Sequence, residues 1–340
     1  MAQDKVLLTS RSRGLAPDTL IFLEFSPHCA LVGYHQAIEL EVEEDYCREH
    51  GIHINRRISG GGAIYMGEGI LGWAIFAAKN TPGIPSRLEE MYACICGSVA
   101  AGLSKLGVKA KYRPKNDIEV DGRKISGTGG TAMGDAILYH GTMLVDFNMD
   151  IMINALKLPV KKLEDKQVRT FRQRVTCLRD VLGYTPDRKA IKNALQEGFS
   201  DVLGMTFEPG RLTGYEQSQL DQDLPCFQSD EWIKGRSIPV QDSELKVNDY
   251  KAPGGLIRVS VLLDRSRKRI KSTFITGDFF AYPERSILDL EAFLKNSSSL
   301  SSDVHMNVLH FFEENNVKIP GVDAGHIGEA LCQAISGASG

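Results

Sequence analysis

Two short glycine-rich basic segments carry the residues best suited to chemistry. The first is Arg56-Arg57-Ile58-Ser59-Gly60-Gly61-Gly62-Ala63, and the second is Gly122-Arg123-Lys124-Ile125-Ser126-Gly127. Each sets fixed cations beside backbone that lacks Cβ atoms, so amide N–H groups can crowd around an anion. Two such loops in one chain point to a ligand with both phosphate and carboxyl groups, as when ATP activates an acid.

The first segment follows a strand and precedes another. It is therefore not a dinucleotide fingerprint, which opens a helix. No Gly-Lys-Ser/Thr follows at P-loop spacing either. Two adjacent arginines, the Ser59 hydroxyl and three glycines form a dense donor set, read here as an anion clamp. The blander reading is a tight loop with two solvated arginines.

The second segment closes a hairpin spanning residues 116–127, turned at Asp121-Gly122, a dipeptide suited to a primed turn. With a two-residue turn, Glu119 pairs with Lys124 and Asp117 with Ser126. Alternation then puts Asp117, Glu119, Lys124 and Ser126 on one face and Ile118, Val120 and Ile125 on the core face. A lysine held among carboxylates on a rigid hairpin can neutralise a carboxylate attacking phosphorus and the charge that develops. Asp117 and Glu119 could hold Mg²⁺, which takes one or two carboxylates plus substrate phosphates. They could equally form a salt bridge with Lys124.

His140, on a strand over 138–147, could contact a nucleotide, act as a base or simply be hydrogen-bonded. Cys177 follows Arg174-Val175-Thr176 and could serve as an acyl-accepting nucleophile, although no histidine is near it in sequence. The run Arg265-Ser266-Arg267-Lys268-Arg269 sits at a second hairpin turn. It reads as a solvated turn or as a docking patch for an acidic protein.

These residues need a scaffold of strands. Segments 21–25, 29–33, 52–55, 64–65 and 71–78 read as strands, and residues 41–50 as a short helix. Residues 86–106 form the clearest helix, with Leu88, Met91, Ile95, Val99, Leu103 and Leu106 on one stripe and a Ser86/Glu89 capping box. Helical patterns recur from Thr185-Pro186 to about 203, over 214–227, 286–295 and 304–314, and from about 325 to 335. A second hairpin joins 256–263 to 270–276. The domain boundary falls near residue 238, giving a first domain over 1–237 and a small α+β domain over 238–340.

The chain has 340 residues, enough for about two domains. Its formal net charge of −3 gives no global drive toward nucleic acid or an anionic membrane. No apolar run approaches the roughly 20 residues that span a bilayer, and no signal-peptide core follows the N-terminus. Seven cysteines, an odd number, argue against a disulfide framework and for a reducing cytoplasm.

The chain resembles lipoate–protein ligases, within the fold shared with biotin–protein ligases and octanoyltransferases. The matching pieces are Gly33-Tyr34-His35-Gln36, residues 56–65, Asn116-Asp117-Ile118, residues 122–127, His140-Gly141-Thr142 and Arg172-Gln173-Arg174-Val175-Thr176. Their order and spacing extend over most of residues 20–236. Gly254-Gly255-Leu256-Ile257-Arg258-Val259 and Ile275-Thr276-Gly277-Asp278-Phe279-Phe280 resemble the small accessory domain of these ligases.

The resemblance implies an α/β (α+β) architecture, with a mixed-sheet catalytic domain and a fused C-terminal accessory domain. It implies attack of lipoate or octanoate on ATP with Mg²⁺, giving acyl-AMP. A lysine of a lipoyl-domain protein or a glycine-cleavage H-like carrier then takes the acyl group. By motif, Lys124 is the catalytic lysine, and Arg57 with Gly60, Gly61 and Gly62 forms the loop over the lipoyl chain. Ser59, Ala63, Tyr65, Asn116, Asp117, Ser126, Gly127, His140 and Thr142 complete the substrate- and ATP-binding set, with Asp117 at the metal.

No nucleic acid or membrane partner is expected, and a cytoplasmic monomer is. Met66-Gly67-Glu68-Gly69 stands where the family often has His-Asp and then Gly-Asn, which bears on acyl preference and on the carrier. An H-like lipoate-binding protein of sulfur oxidation is one candidate carrier. Cys177 stands where asparagine is usual, so an octanoyltransferase using Cys177 remains the alternative, beside a non-catalytic lipoyl-binding protein.

Overall fold

The computed structural model describes residues 1–114, 116–157, 173–236 and 245–337. The chain divides into two compact units. The first takes in Met1–Leu31, Val42–Asn55 and Ile64–Ser229. The second takes in Val32–Glu41, Arg56–Ala63 and Asp230–Gly340. The second unit thus starts at Asp230 and includes two earlier segments, beside the single boundary near 238 that the sequence suggests. Position 238 itself lies outside the described residues.

The first unit is built on a six-stranded sheet of order β1-β5-β9-β8-β7-β6. Its strands are β1 (Thr19–Leu23), β5 (Ile70–Ala78), β6 (Lys111–Arg113), β7 (Asp117–Val120), β8 (Arg123–Met133) and β9 (Ala136–Leu144). Each pair is antiparallel; short connections join β6 to β7, β7 to β8 and β8 to β9, whereas β1–β5 and β5–β9 pair strands distant in sequence. A three-stranded sheet of order β3-β2-β4 comprises β2 (Cys29–Val32), β3 (His53–Arg56) and β4 (Ile64–Met66).

One face of the large sheet is sealed by two packed helices, Leu88–Lys105 and Arg188–Leu203. Leu71, Trp73, Ile75, Ile118, Ile125, Tyr139 and Met143 meet Ile95, Val99, Leu103, Ile191, Leu195 and Phe199 in one core. Burying such a side chain contributes about 1.5–3 kcal/mol, so this face is fixed. The helices touch through glycine: a Cβ at Gly198 would lie 2.2 Å from the Ser98 carbonyl oxygen. The helix over 86–106 is confirmed, but it starts at Leu88, and its N-cap Arg87 makes no side-chain cap. The capping box at Ser86 and Glu89 does not form. The short helix over 41–50 is two pieces, Ile38–Glu41 and Glu44–Glu49.

Alternation along β9 decides what the other face carries. Ile137, Tyr139 and Met143 point into the core, so His140 and Thr142 point away from it. Their cross-strand neighbours are Ala74 and Gly72 on β5, and His140 lies opposite Gly129 on β8. An N-terminal helix, Ala2–Ser12, packs against β5, β8 and β9.

The second unit has its own core. Strands β10 (Lys246–Ala252), β11 (Gly255–Asp264) and β12 (Arg269–Gly277) form an antiparallel meander. Helices Ser286–Leu294, Ser301–Glu314 and Ala324–Ser336 supply Ile287, Leu290, Val304, Val308, Ile327 and Leu331 to the core beside Ile257, Val259 and Ile275. No described helix is long and apolar enough to cross a membrane.

Candidate functional site

The hairpin β7–β8 turns at Asp121 and Gly122, with φ of 50° and 74°. These are the two positive values that a type I′ turn needs. Glu119 pairs with Lys124, as the two-residue turn requires. A bulge then shifts the register: Ile118 lies opposite Ser126 and Asp117 opposite Gly127. The expected Asp117–Ser126 pair is corrected by one residue. Ile118, Val120 and Ile125 all reach the core, as alternation predicts, while the bulge moves the partners of Ile118 and Asp117 by one residue.

Lys124 gains a specific position from that shift. Its Nζ lies 2.7 Å from Asp117 Oδ1. A Cβ added at Gly127 would come within 2.8 Å of the same nitrogen, so the lysine folds back over the glycine. Gly127 N–H donates to Thr142 Oγ1 at 3.4 Å, linking the hairpin to β9. Glu119 does not join this group. It is buried and paired with Arg113 at 2.7 Å, which leaves Asp117 as the hairpin carboxylate beside the lysine.

Asn116 is tied to β8 on both sides. Its Nδ2 donates to the Thr128 carbonyl at 2.9 Å, and its own carbonyl accepts from Thr128 N and Oγ1. The segment Arg174–Thr176 braces the lysine from the other side. Lys124 N donates to the Arg174 carbonyl at 2.7 Å, and Thr176 N donates to the Lys124 carbonyl at 2.9 Å. This makes a parallel bridge between Lys124 and Val175. Arg172, the first residue of that motif, lies outside the described residues. Ser126 and Thr176 each keep a buried hydroxyl with no partner among the described residues. Buried polar atoms are seldom left so, and two beside one lysine suit a polar ligand.

Val175, Thr176 and Cys177 also border a cavity of about 430 Å³ with Asp146, Asn148 and Arg179. Cys177 is 3% exposed, and burial pushes its thiol up from the ordinary value. A nucleophilic cysteine needs the opposite, a stabilised thiolate. Tyr65 on β4 meets His28 Nδ1 through its hydroxyl. Burial, with Tyr46 and Glu68 adding to it, pushes that phenol up to about 12. His28 was not among the expected residues, and no spacing in the sequence ties it to Tyr65.

The glycine loop belongs to the second unit, and its arginines are structural in this conformation. Arg56 donates to the carbonyls of Gly33, Tyr34, Gln36, Trp232 and Ile233. Arg57 is 5% exposed and donates to the carbonyls of Gly60 and Gly62 at 3.0 and 2.9 Å. Burial draws both guanidinium groups down to about 10, a value that leaves them charged. The carbonyls replace the water these cations lose. The Ser59 carbonyl accepts from Tyr34 N at 2.9 Å and the Phe279 carbonyl from Gly61 N at 3.0 Å. A Cβ at Gly60 would meet the Phe279 oxygen at 2.4 Å, and one at Gly62 would meet Asp278 Cβ at 3.6 Å. Ala63 ends the loop, half-buried. In this conformation the segment expected as an anion clamp is a braced loop: Arg57 donates to the loop's own carbonyls and Arg56 to carbonyls outside it.

No group of three or more His, Cys, Asp or Glu side chains able to hold a metal occurs among the described residues. The residues present fit Mg²⁺ only as an ion carried mainly by substrate phosphates, with Asp117 as a protein carboxylate.

The family model of the lipoyl protein ligase A/B catalytic domain matches residues 1–200. The octanoyltransferase LipM of Kyrpidia tusciae is 29% identical over 254 residues, 68% of this chain and 92% of its own. Lipoate-protein ligase A subunit 1 of Thermoplasma acidophilum is 30% identical over 249 residues, 69% of this chain and 91% of its own. A solved bi-partite lipoate protein ligase from T. acidophilum matches with a TM-score of 0.62 at 27% identity, over 71% of this chain and 92% of that one. A lipoate-protein ligase A bound with ATP matches at 0.60 and 26%, over 69% and 92%. LipL1 of P. falciparum, solved with lipoate, matches over 98% of this chain and 95% of its own with a TM-score of 0.73. At 17% identity it is a likeness of fold alone.

Proposed function

The chain belongs to the lipoyl protein ligase A/B catalytic-domain family, and on that premise we propose that it is an ATP-dependent lipoate–protein ligase. It activates lipoate or octanoate as acyl-AMP and passes the acyl group to a lysine of a lipoyl-domain or H-like lipoate-binding protein. Named relatives divide between octanoyltransferase and ligase, so the local chemistry has to choose. The observation that carries the choice is the mounting of Lys124, a fixed cation 2.7 Å from Asp117 and folded over Gly127, against a Cys177 that is buried and hard to ionise.

The steps follow from that mount. The acyl carboxylate and the α-phosphate of ATP are both anionic and repel. Lys124 between them offsets the repulsion and then the charge that develops as pyrophosphate leaves. Mg²⁺, when bound through the phosphates, would supply further charge neutralisation, with Asp117 as its protein carboxylate. His140 and Thr142 present polar groups beside Gly72 and Ala74 on the same sheet face, and Ser126 and Asn116 complete the polar set. For Arg57, Ser59, Gly60, Gly61, Gly62, Ala63 and Tyr65, a role toward the acyl chain and nucleotide is proposed on the family resemblance alone. The second unit takes the accessory role. Seven free cysteines suit a reducing cytoplasm.

A second reading is octanoyl transfer, which the name of the LipM relatives favours; in this chain Cys177 would then carry the acyl group as a thioester. Supplying the protein with free lipoate or octanoate plus Mg-ATP, and separately with an octanoyl thioester without ATP, separates the two. Acyl-AMP and pyrophosphate that survive Cys177→Ser support the ligase. An octanoyl group moved from the thioester donor to Cys177, with release of the donor thiol and no acyl-AMP from the free acid, sinks it.

A further inference from the structure

Five of the seven residues from 265 to 271 are cations: Arg265, Arg267, Lys268, Arg269 and Lys271. They cap the β11–β12 hairpin of the second unit, and all five are exposed. The turn is held firmly. Asp264 accepts from Ser266 Oγ at 2.7 Å and from Arg267 N at 3.1 Å, and those two bonds hold its carboxyl below the usual range. The hairpin is also stitched to the serine-rich segment behind it. Ile270 N donates to the Ser297 carbonyl, Asn296 N to the Ile270 carbonyl and Ser299 N to the Lys268 carbonyl, at 3.0, 2.7 and 3.0 Å. Ile270 is fully buried and anchors the strand.

Lys268 has φ of 52°, a conformation that favours glycine or asparagine. A lysine there accepts backbone strain while adding one more charge to a crowded cationic turn. Neither strain nor repulsion helps folding, and strain kept at an exposed charged residue points to a use. A rigid turn dense in arginine is a ready partner for carboxylates.

We propose that the 265–271 hairpin is a docking surface for an acidic protein face, that of the acyl-accepting carrier. The inference rests on the ligase reading for the identity of that partner. A polyanion is disfavoured because the cations are confined to one turn of a chain with net charge −3, which a long nucleic acid would meet beyond it. A membrane surface is disfavoured because residues 264–269 contribute no exposed large apolar side chain. Surface charge of this kind acts mainly on encounter and on salt dependence.

The test uses the full chain, its Arg265→Glu/Arg267→Glu/Lys268→Glu variant and a purified acidic apo lipoyl domain. The variant should form acyl-AMP within about twofold of wild type, which also reports that it is folded. Its KM for the lipoyl domain should rise at least fivefold. Raising sodium chloride from 20 to 200 mM should raise the wild-type KM and leave the variant's almost unchanged. A carrier KM that ignores both substitution and salt overturns the proposal. So does a variant that loses only retention on heparin or on anionic vesicles. Direct binding of the lipoyl domain, read by fluorescence anisotropy, keeps the two readings apart. Salt-sensitive binding lost in the variant supports the docking surface even if wild type makes no acyl-AMP, an outcome that would remove the ligase reading alone.

Discussion

Lys124 and Asp117 meet across the β7–β8 hairpin, amine to carboxylate at 2.7 Å, because the bulge places Asp117 opposite Gly127 rather than Ser126. In the regular register a serine side chain would fill the space that the lysine uses. With Gly127 opposite Asp117, the lysine end has room to fold back over the glycine. The pair is partly solvated, so it positions the lysine more than it stabilises the fold.

Gly127→Ala should separate chemistry from folding. The new methyl would press on Lys124 Nζ and Cε, at 2.8 and 2.9 Å, and a flexible side-chain end can move aside. Acyl-AMP formation should fall by about tenfold or more, since misplacement of about 1 Å at a reacting centre can cost 10²-fold. Thermal unfolding should shift by no more than about 2 °C, within what a surface substitution does. A fully active variant would show that the fold-back over Gly127 plays no part.

Cys177→Ser should keep the ligase activity within about threefold, while costing about 0.5–3 kcal/mol of stability as a buried substitution whose hydroxyl keeps the Asp180 and Phe147 partners of the thiol. In the wild type, burial raises the Cys177 thiol, so its thiolate is scarcer at pH 7 than that of an ordinary cysteine. Alkylation mapped by peptide mass spectrometry should therefore label exposed Cys226 well before Cys177. Fast labelling of Cys177 would favour the thioester route.

Gly33→Ala should unsettle the second unit. Its Cβ would lie 1.9 Å from the Gly61 carbonyl oxygen, backbone that cannot step aside. A loss of about 1–3 kcal/mol is expected, as for overpacked sites generally. Urea unfolding reads this directly, and an unchanged midpoint would mean that the loop is not packed as described.

His35 gives the second unit an acid limb. It is 1% exposed, stacks on Phe279, and neither ring nitrogen has a partner among the described residues. Burial, with Arg236 and Arg56 adding to it, draws the imidazole down to about 3, against about 6.5 in an unfolded chain. The folded state therefore binds fewer protons. The contribution is whole above pH 6.5 and is lost as pH falls toward 3. His35→Phe should flatten that part of a stability-versus-pH curve, and an unchanged slope would count against it.

Much of this was legible from residue types. The Asp121-Gly122 turn, the Glu119–Lys124 pair and the core face of the hairpin follow from turn chemistry and alternation. The bulge does not, because regular pairing puts the same three apolar residues on the core face, so the pattern carries no sign of the shift. The membership of residues 56–63 in the second unit depends on bonds such as Gly61 N to the Phe279 carbonyl, which no local pattern encodes. For the same reason two arginines that look like ligand groups turned out to satisfy carbonyls. The helix Ala2–Ser12 was missed because its apolar residues, Val6, Leu7 and Leu8, cluster without a repeat.

The most direct test of the central claim is acyl-AMP formation by the wild type and by Lys124→Ala, each with lipoate and Mg-ATP and read by mass spectrometry. Lipoyl-AMP should accumulate with the wild type and fall by about 10²–10³-fold with Lys124→Ala, the cost of removing one charge-stabilising donor. A folded wild type that makes no lipoyl-AMP from lipoate and Mg-ATP, yet transfers octanoyl from a thioester donor to a lipoyl domain, would contradict the account.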